Sequence, residues 1–243
     1  MKKTFWGGRR YCSLDYMLKE RYSEKLYKLS LNGGMTCPNR DGKISEGGCI
    51  FCSAGGSGDF AANFNPDIAK QIEQAKTLVS KKYQGNRFIA YFQAYTNTYA
   101  PVEYLRKLFM DTIMRDDIAI LSIATRPDCL GDDVIELIAE LNRIKPVWVE
   151  LGLQTINEST ARLINRGYEL SCYDEAVRRL RNIGVEIITH MIIGLPYETK
   201  EDILSTAEYI GKTANGIKLQ LMHILKNTKL LEMYEKGEFK ALT

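Results

Sequence analysis

The chain has 243 residues, 45% of them apolar, and a formal net charge of +3, enough to bury the core of one large α/β domain or two small ones without disulfide staples. No apolar run approaches the roughly 20 residues needed to cross a bilayer, and the charge is too small to mark a nucleic-acid surface by itself. Six unevenly placed cysteines behind a basic start with no hydrophobic leader speak against a secreted disulfide framework, so the cytoplasm is the expected compartment.

After an N-terminal extension of residues 1–24, short β-rich runs alternate with longer helical patterns, which points to βαβ units around a parallel sheet. The first strand reads KLYKLSLN (25–32) and leads to a helix over 66–83, with Asn65 as its cap and Pro66 as its first residue. RFIAYFQ (87–93) precedes a helix at 101–114 opened by Pro101, and IAILSIAT (118–125) precedes one at 132–143. VWVELGLQ (147–154) leads to helices at 157–165 and 171–182, the latter followed by Gly184. VEIITHMIIG (185–194), a helix at 199–213, GIKLQLMHIL (216–225) and a short helix from Thr228 complete the chain. Six units fill the sequence and leave no room for an eight-stranded barrel. With no low-complexity, proline-rich or serine-rich linker, a single domain over 1–243 is expected.

One face of these strands is repeatedly polar, whereas a parallel sheet covered by helices should be apolar on both. Glu150 and Gln154 share a face of the fourth strand, Lys218 and Gln220 one of the sixth, Ser122 and Arg126 one of the third, and Tyr91, Gln93 and Tyr95 one of the second. If the sheet curves into an open barrel, these residues line a wet lumen that implies a polar ligand. Ile217, Leu219 and Leu221 then face outward. Basic residues also gather at Lys2, Lys3, Arg9 and Arg10, and at Arg178, Arg179 and Arg181; solvated surface is the ordinary reading of each group.

The densest motif is TCPNRDGKISEGGCIFC, which places Cys37, Cys49 and Cys52 in a C-x11-C-x2-C pattern after the first strand. That end of a strand opens onto the mouth of an α/β barrel. Cysteine thiolates suit zinc or an iron–sulfur cluster, but structural zinc takes four ligands, and only Cys12 is at hand as a fourth. Gly47, Gly48, Gly55, Gly56 and Gly58 flank the cysteines and let backbone approach a cluster closely. Cys129 and Cys172 receive no role. Tyr91, Tyr95 and Tyr99 can stack on a base or simply pack.

With CPNRDG, GGCIFCSAGGSGDF, AYFQAYTNTYAP, SIATRPDC, WVELGLQT and INRG, the chain resembles the radical S-adenosylmethionine (radical SAM) superfamily, and within it the YtqA/YhcC group, relatives of the catalytic subunit of Elongator. The longer gap between the first two cysteines departs from the superfamily's usual C-x3-C-x2-C and matches that group. The resemblance implies an open (β/α)6 partial barrel. It implies that Cys37, Cys49 and Cys52 hold a [4Fe–4S] cluster whose open iron is chelated by the amine and carboxylate of SAM. One electron then cleaves SAM to methionine and a 5′-deoxyadenosyl radical, which takes a hydrogen atom from the substrate.

Further roles follow from the resemblance alone. Gln93 and Asn97 stand where the superfamily contacts the SAM amino group, and Glu150 and Gln154 where it meets the ribose and carboxylate. Arg126 is placed to pair with the SAM carboxylate, or else to form an ordinary ion pair. Gly194 would admit backbone to the adenine, with His190 replacing the motif's first glycine and its acid displaced to Glu198. Lys218, Gln220 and Tyr95 would face substrate, whereas His223 falls on the opposite alternation and reads as structural. The implied function is modification of tRNA at the C5 side chain of wobble uridine, from carboxymethylaminomethyl toward aminomethyl, with a flavodoxin or ferredoxin as electron donor. A small metabolite or protein side chain is the alternative substrate, and a zinc-stabilised RNA-binding module the alternative class. An acetyltransferase like Elongator's is disfavoured because no residues remain for a second domain. Chains of this group generally continue beyond KGEFKALT.

Overall fold

In the computed structural model, which describes residues 5–83 and 85–242, the β-rich runs form six parallel strands. These are β1 (Tyr27–Leu31), β2 (Phe88–Phe92), β3 (Ile118–Thr125), β4 (Val147–Gln154), β5 (Glu186–Ile193) and β6 (Gly216–Leu221), paired in chain order. β1 and β6 are the two edges of the sheet, so the barrel is open. Helices α2 (Ile68–Val79), α3 (Val102–Ile113), α4 (Asp132–Ile144), α5 (Glu158–Leu163), α6 (Leu170–Asn182) and α7 (Lys200–Thr213) make the crossovers, and α1 (Leu14–Tyr22) and α8 (Lys229–Glu235) stand outside the repeat. Lys2 and Lys3, half of the N-terminal basic group, lie outside the described residues.

Alternation divides the strand residues into two environments. Leu29, Leu31, Phe92, Leu121, Ile123, Val149, Leu151 and Ile187 point outward and bury against helix residues such as Ile72, Phe109, Leu137 and Leu180. Each such side chain contributes about 1.5–3 kcal/mol of hydrophobic stabilisation. The inward residues at the N-terminal ends of the strands, Ile89, Ile120, Trp148 and Ile188, are also apolar and cluster with Leu18 of α1. That helix plugs the bottom of the lumen. Its apolar periodicity is weak and Leu18 is its one buried residue, so the pattern gave no sign of it within residues 1–24.

One local expectation changes. The cap of α2 is Asp67, whose side chain accepts from the amides of Ala69 and Lys70, while Asn65 accepts one turn earlier from the Asp67 amide at 2.9 Å. Both residues are good caps, and the position after Pro66 wins. On β6 the apolar face is not covered: Ile217, Leu219 and Leu221 are 41%, 58% and 65% exposed. The basic group on α6 is surface, as expected: Arg178 and Arg181 are exposed, Arg178 pairs with Glu175, Arg179 with Asp132, and Arg181 donates to the Lys212 carbonyl.

Candidate active site

Cys37, Cys49 and Cys52 line one cavity at the C-terminal ends of the strands. Their loop is held by the segment after α5. Asn39 Nδ2 donates to the Asn165 carbonyl at 2.5 Å and lies 3.7 Å from Cys49 Sγ. Asn165, itself left-handed at φ 56°, returns a bond from Nδ2 to the Gly48 carbonyl at 2.9 Å. Gly167 has φ +82°, and a Cβ there would meet Asn39 Oδ1 at 2.6 Å, so only glycine lets the two loops dock. From the C-terminal side, the Leu230 amide donates to the Ile50 carbonyl at 3.0 Å, and Leu230 and Met233 of α8 bury against Ile50 and Ile164.

Beside Asn165 in INRG, Arg166 is 2% exposed. It donates to the carbonyls of Leu153, Thr155 and Tyr168 at 3.2, 2.7 and 2.9 Å and pairs with Glu158 at 3.1 Å. Arg166→Met should cost about 3 kcal/mol because it leaves several buried carbonyls and Glu158 without a donor. Arg166→Lys should recover less than half, since an ammonium cannot reproduce the fork. Denaturant unfolding of the cluster-free protein reads both, and full recovery by lysine would refute this account.

Burial pushes the Cys49 thiol up to about 12, and the neighbouring Cys52 and Cys37 add to it. Three thiolates packed this way need positive charge among them, which iron supplies. Among the described residues, no three His, Cys, Asp or Glu side chains converge on a point that would hold a single metal ion. Cys12 is exposed and is not on the wall of this cavity. A donor set spread around a cavity fits a cluster with one thiolate per iron, and not a four-ligand zinc site.

The strand ends carry the other predicted residues. Gln93 and Tyr95 lie on the cavity wall and clamp the glycine loop: Gln93 Nε2 donates to the Ser57 carbonyl and the Tyr95 hydroxyl to the Ala54 carbonyl, each at 2.7 Å. The Tyr95 ring covers Gly56, where a Cβ would sit 2.2 Å from it. Arg126 is also on the wall, but its guanidinium is engaged in a two-point pair with Asp128 at 2.9 and 2.7 Å and donates to the Arg166 carbonyl at 2.9 Å. The ordinary ion pair is thus the interaction present. Gln154 reaches the cavity from a left-handed backbone at φ 70°, with Oε1 buried and without a partner. Such an orphaned acceptor on a strained residue suits a site shaped for a polar ligand.

Asn97, Gly194 and His223 differ from expectation. Asn97 is fully buried, and its Nδ2 donates to the carbonyls of Phe92 and Ala124 at 3.0 and 2.9 Å. It ties β2 to β3 and is not among the cavity residues. Gly194 (φ +93°) lies against Leu242 rather than the cavity, because the chain after α8 returns over the end of β5. Glu198 accepts from Thr155 and is likewise off the wall. His223, read as structural, is exposed on the cavity rim: β6 ends at Leu221, and the alternation lapses with it.

Below the mouth, a charged layer crosses the lumen. Glu150 is fully buried; Oε1 accepts from Lys28 and from Ser122 at 2.5 Å, and Oε2 lies 2.7 Å from His190 Nε2. Burial opposes the Glu150 charge, but His190 and Lys28 outweigh it and hold the carboxyl well below its usual range. His190 is pushed below its ordinary value by burial. Lys218 donates to the Tyr91 hydroxyl at 2.9 Å, and Gln220 lines the cavity above it. Lys28 and His190 were not singled out for this layer, although Lys28 alternates with Leu29 in the first strand as the other lumen residues do with their neighbours.

A family model described as the radical SAM superfamily matches residues 37–210. The chain belongs to the radical SAM superfamily. It is 48% identical to YtqA of Bacillus subtilis over 97% of its length and 73% of that protein, and 39% identical to YhcC of Escherichia coli K12 over 93% and 72%. A tRNA uridine(34) acetyltransferase of Dehalococcoides mccartyi is 28% identical over 49% of this chain and 26% of its own. Among solved structures, an archaeal Elp3 from Methanocaldococcus infernus superposes with a TM-score of 0.65 at 19% identity, covering 89% of this chain and 50% of that one. The radical SAM half-barrel is thus the fold. Radical SAM enzymes work with a [4Fe–4S] cluster and SAM, and the three-cysteine cavity, with the unpaired acceptor of Gln154 on its wall, fits both.

Proposed function

We propose that this radical SAM enzyme binds a [4Fe–4S] cluster through Cys37, Cys49 and Cys52 and acts on tRNA, at the C5 side chain of wobble uridine, converting carboxymethylaminomethyl toward aminomethyl. The observation that carries the reading is one continuous cavity that joins the three cysteines at the mouth to Glu150, His190 and Lys218 in the lumen, in a chain related to a tRNA uridine(34) acetyltransferase. When bound, the cluster and SAM supply a radical that takes a hydrogen atom from the substrate.

The chain's own residues supply position. Gln93 and Tyr95 fix the glycine loop after Cys52, Gln154 offers an unpaired acceptor to SAM, and Arg126 braces the wall through Asp128. The α1 plug keeps water out of the lumen from below. A wobble base lies in a single-stranded loop and reaches such a cavity by turning out of its stack. The single-domain reading of residues 1–243, the cytoplasmic setting and a flavodoxin or ferredoxin donor belong to the same proposal; among the described residues no helix is long and apolar enough to cross a membrane.

Reconstituted enzyme, SAM and reductant incubated with hypomodified tRNA should convert the carboxymethylaminomethyl nucleoside to the aminomethyl form in a mass-resolved digest. SAM cleavage with an unchanged digest would refute this substrate and favour a small metabolite or protein side chain. Binding of tRNA should weaken steeply with salt.

A further inference from the structure

The charged layer of the lumen does not balance. Its members come from every strand: Lys28, Tyr91, Ser122, Glu150, His190 and Lys218. Lys28, Ser122 and His190 all bond to the one carboxylate, Glu150, and burial keeps His190 on its neutral side. Two ammonium groups therefore face a single anion. Lys218 is the one left over: its bond is to the Tyr91 hydroxyl at 2.9 Å, with its Nζ 4.9 Å from the centre of the Tyr91 ring. Lys28 lies over the same ring at 4.3 Å. A half-buried cation held by a neutral phenol leaves donors unused, and burial disfavours it unless an anion joins it.

We propose that Lys218 and Tyr91, backed by Lys28, form a subsite for a carboxylate on the substrate side chain. The proposal rests on the wobble-uridine reading, because the side chain named there ends in a carboxylate. The ammonium donates to that group, while the Tyr91 hydroxyl accepts from Lys218 on one side and faces Glu150 on the other, so it holds the lysine in place. Lys218 lies on the same cavity wall as the three cysteines, so a base turned into the mouth would send its C5 substituent down toward the lysine while the backbone phosphates stay outside. The aminomethyl product lacks the carboxylate and would lose this contact, which favours its release.

The test uses the reconstituted full chain without reductant and two anticodon stem-loop RNAs, one with 5-carboxymethylaminomethyluridine at the wobble position and one with the corresponding carboxamide. Wild type should bind the acid at least 10-fold more tightly than the amide by fluorescence anisotropy. Lys218→Met should bind the two equally, with the amide affinity kept within twofold of wild type, and Lys218→Arg should restore the preference. The affinity for SAM, measured separately by calorimetry, should be unchanged in Lys218→Met. A 10-fold loss there would assign the lysine to the SAM carboxylate and overturn the proposal. Equal binding of both loops by wild type, with the acid still converted in a parallel turnover assay, would overturn the subsite and leave the tRNA reading standing. No binding and no turnover of either loop would remove both.

Discussion

Cys49→Ala is expected to yield a folded protein that holds almost no iron and cleaves SAM no faster than the reductant alone. The loop around this residue is tied down by groups other than its sulfur: Asn39 to the Asn165 carbonyl, Asn165 to the Gly48 carbonyl, and the Ile50 backbone to Ile164 and Leu230. Loss of one sulfur leaves these bonds in place, so the cluster-free melting temperature should stay within about 4 °C, the equivalent of roughly 1 kcal/mol. Cluster binding has no such redundancy. A three-cysteine site must anchor three irons, and Cys12 is exposed and off the cavity wall. Iron and sulfide analysis after anaerobic reconstitution, with absorbance near 400 nm, should read about four of each per wild-type chain and close to none in the variant. Retention of a full complement in a Cys37→Ala/Cys49→Ala/Cys52→Ala variant would remove the cluster assignment, and one equivalent of zinc without sulfide would return the chain to the metal-stabilised RNA-binding class.

The second large effect lies at Glu150. Glu150→Ala removes the carboxylate that bonds Lys28, Ser122 and His190 in the layer that also holds Lys218, and breaking such a buried pair costs about 3–5 kcal/mol; for a chain of this length that lowers the melting temperature by on the order of 10 °C. Glu150→Gln, which keeps the bond to Ser122 but not the charge, should fall between. The pH dependence has a definite sign. Glu150 is held below its usual range, so its contribution is complete above the unfolded carboxylate value near 4.3 and is lost as pH falls toward the folded value. His190 is also pushed down, so the unfolded chain takes up its proton first, and stability declines as pH drops through about 6.5. Both terms weaken the fold on acidification, histidine first. Urea midpoints of the cluster-free protein between pH 7.5 and 4 should show the upper part of that loss disappear in His190→Gln; an unchanged profile would refute the assignment of that step to His190.

The repeating architecture was legible because it rests on local periodicity. Apolar runs of strand length, amphipathic stretches between them and a polar residue at every second position specify six βα units around a wet lumen, and the long string around Cys37, Cys49 and Cys52 identified the superfamily. What the tertiary structure decided are features with no local signature. Leu18 plugs the lumen from a helix of weak amphipathicity. Asn97 and Gln93 belong to one short motif, yet one carboxamide is buried between β2 and β3 and the other clamps the glycine loop. Arg126 met its carboxylate two residues away, in Asp128, because an acid that close excludes the entropy of a longer search. Gly194 is covered by Leu242, nearly fifty residues on. Most of all, the surplus cation at Lys218 exists only as a sum over six strands. A sequence fixes which face each side chain takes, while the charge balance of a lumen depends on which faces meet, and that is a property of closure.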